Sequence, residues 1–136
     1  MESINFKTKG RYDFIDMTEK VKSIVDKSKI ENGILYLFVP GSTAAITTIE
    51  YESGVIEDLI AVFEKIAPEK AHYKHHLKWG DGNGAAHIKS ALVGTDLSVP
   101  IRGGSLSLGT WQQVVLIDFD EKPRSREVIV QILKAT

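Results

Sequence analysis

Ile4, Phe6 and Thr8 alternate with Asn5 and Lys7, the two-residue period of a half-buried strand. Thr18 is placed as a helix N-cap: Met17, Val21, Ile24, Val25 and Ser28 stand at helical spacing around it, and Asn32-Gly33 stops the run. Ile34 to Val39 is an unbroken apolar segment, which predicts a central strand buried on both faces. Pro40-Gly41 interrupts it, and Ala44 to Ile49 resumes as β-rich sequence. Ser53 is placed as the cap of a second helix, in which Val55, Ile56, Leu59, Ile60, Phe63 and Ile66 recur at three- and four-residue intervals until Pro68.

A third, shorter helix is expected to open at Asn83 or Gly84 and close at Gly94, with Ile88, Ala91 and Leu92 facing inward. Beyond it the chain turns β-rich. Leu97, Val99 and Ile101 alternate, Arg102-Gly103-Gly104 reads as a turn, and Leu106 and Leu108 alternate again. Val114 to Phe119 predicts a second buried strand, Asp120 to Pro123 a hairpin turn, and Glu127 to Leu133 the closing strand. Helices early and antiparallel strands late make an α+β pattern in one domain spanning residues 1–136.

Composition narrows the partners. A chain of 136 residues buries enough surface to be stable without a disulfide or structural metal. There is no cysteine, which excludes thiolate metal sites and cysteine nucleophiles. With 17 basic and 18 acidic residues the net charge is −1, without the basic excess of a nucleic-acid binder. The N-terminal residues do not form an apolar leader, and the run from Ile34 to Val39 is far shorter than the ~20 residues that span a bilayer. These features predict a cytoplasmic protein with neither a membrane nor a nucleic acid as partner.

All four histidines fall between His72 and His87. His72 and His76, four apart, would share one helix face as metal-binding pairs do; a solvated connection fits the same residues. In Asp81-Gly82-Asn83-Gly84 the two glycines permit positive φ and close approach of a ligand to the backbone. A helix starting there offers free N–H groups to an anion, with Asn83 and His87 on neighbouring turns, although a plain turn and cap reads equally well. After Gly109, which permits a bulge, Trp111 suits either the core or a pocket wall, and Thr110 and Gln112 are placed to hydrogen-bond a ligand. Arg124 and Arg126, two apart, would share one side of a strand and could jointly hold a phosphate or carboxylate; an exposed hairpin end is the other reading.

These segments together carry a resemblance. Val39-Pro40-Gly41-Ser42-Thr43-Ala44-Ala45, Asp81 to Ala91, Val99-Pro100-Ile101, Leu108-Gly109-Thr110-Trp111-Gln112 and Pro123-Arg124-Ser125-Arg126 resemble the YjbQ-like family. Members of that family are often described as secondary thiamine-phosphate synthase enzymes. The resemblance implies a β-sandwich of largely antiparallel strands with two or three helices alongside, assembled as a homotrimer. It also implies a polar site near a subunit interface, built from the Asn/His and Thr-Trp-Gln segments. The implied reaction joins a pyrimidine methyl diphosphate to a thiazole phosphate, and Mg²⁺ would accompany such diphosphate chemistry.

Two positions depart from the pattern: relatives carry histidine where this chain has Gly41, and often where it has Ala85. A single remaining histidine makes a poor metal site, so no tightly bound zinc is expected, unless His75, His76, Asp81 or Glu50 substitutes in space. The implied assignments give His87, Glu50 and Asn83 catalytic roles. Gly82, Gly84, Lys89, Thr110, Trp111, Gln112 and Arg124 would bind a small anionic metabolite. The alternative is a non-catalytic ligand-binding or scaffold trimer whose missing histidines record lost chemistry.

Overall fold

The computed structural model describes residues 2–136. In chain order the elements are β1 (Glu2–Lys7), β2 (Asp13–Asp16), α1 (Thr18–Ser28), β3 (Gly33–Phe38), β4 (Ala44–Ile49) and α2 (Ser53–Ile66). They continue with α3 (Lys74–Trp79), α4 (Gly84–Val93), β5 (Asp96–Arg102), β6 (Ser105–Leu106), β7 (Gln113–Asp118) and β8 (Ser125–Lys134). Two antiparallel sheets result, one of five strands in the order β1-β8-β3-β5-β6 and one of three in the order β2-β7-β4. The α+β reading holds.

The three-stranded sheet is the middle layer. Val114 and Leu116 of β7 point into a core shared with Leu35, Leu37, Val128 and Val130 of the large sheet and Val21 and Val25 of α1. Val115 and Ile117 point the other way, into a second core with Ala45, Phe63 of α2 and Ala86 of α4. A strand apolar at consecutive positions therefore serves two cores at once.

β3 does not behave like β7. Leu35, Leu37 and Val39 are buried, but Ile34 on the opposite face is 45% exposed, because the outer face of the five-stranded sheet carries no helix layer in this chain. The expectation that Ile34–Val39 is buried on both faces is thus corrected. Periodicity cannot separate the two cases when both faces of a strand are apolar.

Helix α4 is rotated from its expected phase. Its inward residues are Ala85, Ala86, Lys89 and Ser90, whereas Ile88, Ala91 and Leu92 face outward. Small residues let the helix lie close on β4, where Ser90 Oγ donates to the Ala44 carbonyl at 2.6 Å. Lys89 can be buried because anionic and hydroxyl partners meet it.

Capping differs slightly from the expectation as well. α2 is capped by the Glu52 carboxylate, which accepts from Gly54 and Val55 N–H, rather than by Ser53, and α1 is preceded by Met17 with Thr18 as its first residue. The segment Asp120–Pro123 is not a hairpin turn, since β7 and β8 belong to different sheets. It carries the chain from one sheet to the other, braced by Asp120 N–H on Asp118 Oδ1 and Lys122 N–H on Asp120 Oδ1, both 2.9 Å.

Candidate functional site

The end of β7 that leads into this crossing carries two buried carboxylates. Asp118 accepts Thr8 Oγ1 at 2.6 Å and Arg126 through Nε at 2.8 Å and Nη2 at 3.0 Å, a bidentate pairing. Asp120 Oδ2 accepts Thr43 Oγ1 at 2.9 Å, Arg124 Nε at 3.1 Å and Asn83 Nδ2 at 3.2 Å. Burial alone would push the Asp120 carboxyl up. The Lys122 N–H, Arg124, Thr43 and Asn83 outweigh it and hold the group below the usual carboxylate range. Arg126 Nη2 also donates to Thr43 Oγ1 at 2.6 Å, which closes the network.

Asn83 joins this network to α4. Its Oδ1 accepts Glu121 N–H at 2.8 Å, so both ends of the amide are fixed. The helix does open at Gly84, but the preceding amides are already engaged. Gly82 N–H meets Glu121 Oε2 at 3.0 Å, Asn83 N–H meets Asp81 Oδ1 at 3.1 Å, and Gly84 N–H points at His76 Nε2 at 3.4 Å. The expected anion cup at Gly82 and Gly84 is thus closed by carboxylates and an imidazole from the same chain. Nor is positive φ used at either residue; in this region it occurs at Gly80, at +67°. What Gly84 permits is contact with Tyr73, whose Cβ would lie 2.6 Å from a Cβ added at 84.

His87 leans on the same end of the molecule. Its Nδ1 lies 3.1 Å from the Ser42 carbonyl, and its ring is 4.5 Å, centroid to centroid, from that of His75. His75 Nδ1 stands 3.3 Å from Asp81 Oδ1 without the alignment of a hydrogen bond, so this buried nitrogen has no hydrogen-bond partner among the described residues. His76 is a neighbour of His75, whereas His72 precedes α3, so His72 and His76 do not share a helix face as the metal-pair reading expects. Among the described residues no group of three or more histidine, aspartate or glutamate side chains is arranged to hold a metal ion.

At position 41, φ is +147° and an added Cβ would stand 3.0 Å from Arg126 Nη1. Ala85 is buried. A histidine at either position would require the surrounding groups to move.

Lys89, expected to supply charge to a ligand, is 0% exposed and lies elsewhere. Its ammonium contacts Tyr12 OH at 2.5 Å, Glu64 Oε2 at 3.1 Å and Glu69 Oε1 at 3.3 Å, and Glu69 in turn pairs with Arg11. Tyr12 also hydrogen-bonds Glu64, and burial together with that carboxylate pushes its hydroxyl pKa up. This cluster ties α2, α4 and the β1–β2 connection together.

The remaining expected residues lie at the opposite end of β7. Ile49 pairs with Gln113 and Ala44 with Asp118, so Glu50, just past Ile49, sits at the Gln113 end. Thr110 and Gln112 enter β7 there and line a cleft of ≈ 250 Å³ with Asp16, Thr18, Glu19 and Lys22. Gln112 closes a tight turn: its N–H donates to the Gly109 carbonyl at 3.1 Å, its Oε1 accepts Gly109 N–H at 3.0 Å, and its Nε2 reaches Thr48 Oγ1 at 3.0 Å. Trp111 is not a core residue; it is 73% exposed. Five residue steps of strand, about 17 Å, therefore separate the two motif segments within one chain.

Comparison with known proteins shows the family. The profile of the family described as UPF0047 protein YjbQ-like matches residues 2–135. The chain belongs to that family. It is 37% identical over 130 residues to a UPF0047 protein of Archaeoglobus fulgidus, covering 96% of this chain and 98% of the relative. UPF0047 protein YugU of Bacillus subtilis is 31% identical over 134 residues, covering 98% of both chains. Among solved structures, a protein of unknown function from Sulfolobus solfataricus P2 superimposes with a TM-score of 0.92 at 35% identity, over 98% of this chain and 96% of that one. A hypothetical protein from Aeropyrum pernix K1 gives a TM-score of 0.90 at 33% identity, over 99% and 100%.

This YjbQ-like chain thus shares the whole fold of its relatives. Of the residues its sequence singles out, Asn83, His87, Arg124 and Arg126 gather at one end of β7. Glu50, Thr110, Trp111 and Gln112 gather at the other. Asp118, Asp120, Thr8 and Thr43 were not singled out; the signal for the aspartates was their spacing of two at the end of an apolar strand, which puts both on one face, whereas Thr8 and Thr43 join them only through tertiary contact. No helix among the described residues is long and apolar enough to cross a membrane.

Proposed function

We propose that this protein binds a small phosphorylated or otherwise anionic metabolite at sites completed between copies of the chain in a homotrimer. The observation that carries the reading is the separation of the two motif segments by the length of β7. One copy would offer Arg124, His87 and Asn83; its neighbour would offer Thr110, Trp111 and Gln112. Arg124 suits the anion role because its guanidinium is half exposed while Asp120 holds its Nε. An indole standing in water on a braced turn suits burial against a neighbour.

His87 would serve as general acid/base, and Glu50, carried on the Trp111 side, as the carboxylate across the boundary. Weak thiamine-phosphate synthase activity with Mg²⁺ on the diphosphate is the chemistry the resemblance attaches to such a site. Light scattering combined with a thermal-shift titration against inorganic pyrophosphate tests the reading. A trimer mass and a stabilisation lost in both Arg124→Gln and Trp111→Ala are expected. A monomer mass at micromolar concentration, with pyrophosphate shifting neither protein, would remove it.

A second reading is a scaffold trimer without catalysis. It is favoured by the Gly82 and Asn83 amides, which the chain's own carboxylates occupy. Under it, trimer mass persists and no phosphorylated compound stabilises the protein.

A further inference from the structure

Arg126 is only 9% exposed, yet its donors are not all occupied. A guanidinium carries one N–H on Nε and two on each terminal nitrogen. Nε donates to Asp118 Oδ2 at 2.8 Å. Nη2 uses both of its hydrogens, on Asp118 Oδ1 at 3.0 Å and on Thr43 Oγ1 at 2.6 Å. Nη1 makes no hydrogen bond among the described residues. There, His75 Nδ1 is the one side-chain nitrogen or oxygen that is both sealed from solvent and without a partner, so Arg126 Nη1 reaches solvent.

What Nη1 faces is the space over Gly41. Gly41 and Ser42 are exposed. Where a Cβ would stand on Gly41, Arg126 Nη1 is the one atom beyond the chain neighbours within 4 Å, at 3.0 Å. The backbone there has φ +147°, which favours glycine, so the opening belongs to the turn itself. Arg124 stands beside it. Its Nε lies 3.1 Å from Asp120 Oδ2, and Arg126 Nη2 lies 3.9 Å from the same oxygen. The rest of the Arg124 guanidinium is half exposed.

Asp118 and Asp120 balance the two cationic charges, so bulk attraction for an anion is modest. What remains is direction. Asp118 grips Arg126 by Nε and Nη2, which fixes where Nη1 points, and Asp120 holds Arg124 by Nε. Donors set in place beforehand lose little freedom when a ligand arrives. They also sit on separate guanidiniums instead of forming one parallel fork. A fork matches the two coplanar oxygens of a carboxylate. Donors from two side chains suit an anion whose oxygens diverge, which is the shape of a phosphoryl group.

We infer that the recess over Gly41 is a phosphoryl subsite, in which Arg126 Nη1 and the terminal nitrogens of Arg124 donate to the oxygens of one tetrahedral oxyanion. The subsite presupposes the anionic-ligand reading above. It adds the group of the ligand that is held, and it makes the buried Arg126 a binding residue.

NMR of the guanidinium groups in full-length protein labelled with ¹³C,¹⁵N-arginine tests this, with sodium phosphate as the probe at fixed ionic strength. Arg126 Nη1 and the Arg124 Nη signals should move saturably, with half-saturation at about millimolar phosphate, while Arg11 and Arg102 stay still. Acetate at the same concentration should move them far less. Gly41→Ala, whose methyl group enters the recess, should raise the half-saturation at least fivefold; the wild-type titration decides the matter if that variant does not fold. Movement at Arg124 alone would overturn the subsite and leave the anionic-ligand reading standing. So would stabilisation by pyrophosphate without movement at Arg126. Neither movement nor stabilisation would remove both. Acetate matching phosphate, all arginines shifting together, or a folded Gly41→Ala protein with unchanged half-saturation would also overturn the subsite.

Discussion

Asn83 and Asp120 are joined across 37 residues of sequence by the 3.2 Å bond from Asn83 Nδ2 to Asp120 Oδ2, and the other end of the same amide receives Glu121 N–H. The side chain thereby clips the start of α4 to the crossing between the two sheets. Truncating Asn83 to alanine leaves a buried carboxylate short of a donor and a backbone N–H without its acceptor. The expected loss is about 1–3 kcal/mol. Asn83→Asp should cost more at neutral pH, since it brings a second negative charge to Asp120. Urea midpoints of the two variants decide the matter; equal stability of Asn83→Asp and wild type would contradict the described contact.

The acid response of the fold follows from Asp120. Its carboxyl is held below the ordinary range in the folded state. The ionised form therefore stabilises the fold above the ordinary carboxyl value of about 3.9, and that stability is lost as pH falls below it. Denaturation midpoints measured from pH 5.5 to pH 3 should fall less steeply for Asp120→Asn than for wild type. Indistinguishable slopes would take Asp120 out of the acid response.

Lys89 tests a different balance. Removing it leaves Glu69, which is mostly buried, with Arg11 as its remaining cation, and Glu64, which is partly exposed, with the Tyr12 hydroxyl. Lys89→Met should lose on the order of 2–3 kcal/mol, less than a fully enclosed pair would. Adding Glu69→Gln to Lys89→Met should return much of that loss, which a double-mutant cycle measures. No recovery would mean that the lysine acts by packing alone.

At Gly84 the neighbour of any new methyl group is the Cβ and ring root of Tyr73 rather than the tip of a flexible chain. Gly84→Ala should displace Tyr73 and make the segment before α3 more sensitive to proteolysis. Adding Tyr73→Ala should restore room at position 84 and recover part of the lost stability. A Gly84→Ala protein with unchanged protease sensitivity would show that the contact yields without cost.

With no three-ligand cluster among the described residues, chelator treatment is expected to leave the thermal midpoint unchanged. Elemental analysis returning near one zinc per chain would show that His75, His87 and Asp81 rearrange around a metal.

How much of this was legible in the sequence depends on the kind of signal. Strands β4, β5, β7 and β8 and helices α1, α2 and α4 follow from periodicity and from Gly and Pro punctuation. α3 was not, because a helix that buries nothing leaves no apolar period; its residues read as a polar connection. The phase of α4 was misread for a related reason. Ile88 and Leu92 are the apolar residues, yet the buried face belongs to two alanines, a serine and a lysine whose partners lie twenty or more residues away. The spacing of Asn83 and His87, four apart, did predict their relation across one turn of α4, where His87 N–H meets the Asn83 carbonyl. That Gly82 and Gly84 spend their amides on Glu121 and His76 could not be read, since both partnerships depend on how separate segments meet.

The position of β8 has a bearing on how the chain comes together as it is made. β8 follows every other strand in the sequence, yet it lies between β1 and β3 and pairs with both, Glu2 opposite Val130 and Phe38 opposite Ile129. Until β8 emerges from synthesis, the large sheet is two fragments with no strand to join them, and the core face of β3 has no roof on that side. The middle sheet can form earlier, since β2, β4 and β7 precede β8. The expected history is a nascent chain whose inner layer pairs first and whose outer sheet closes in one late step. The open edges of β1 and β3 are the part most exposed to wrong partners while the chain waits.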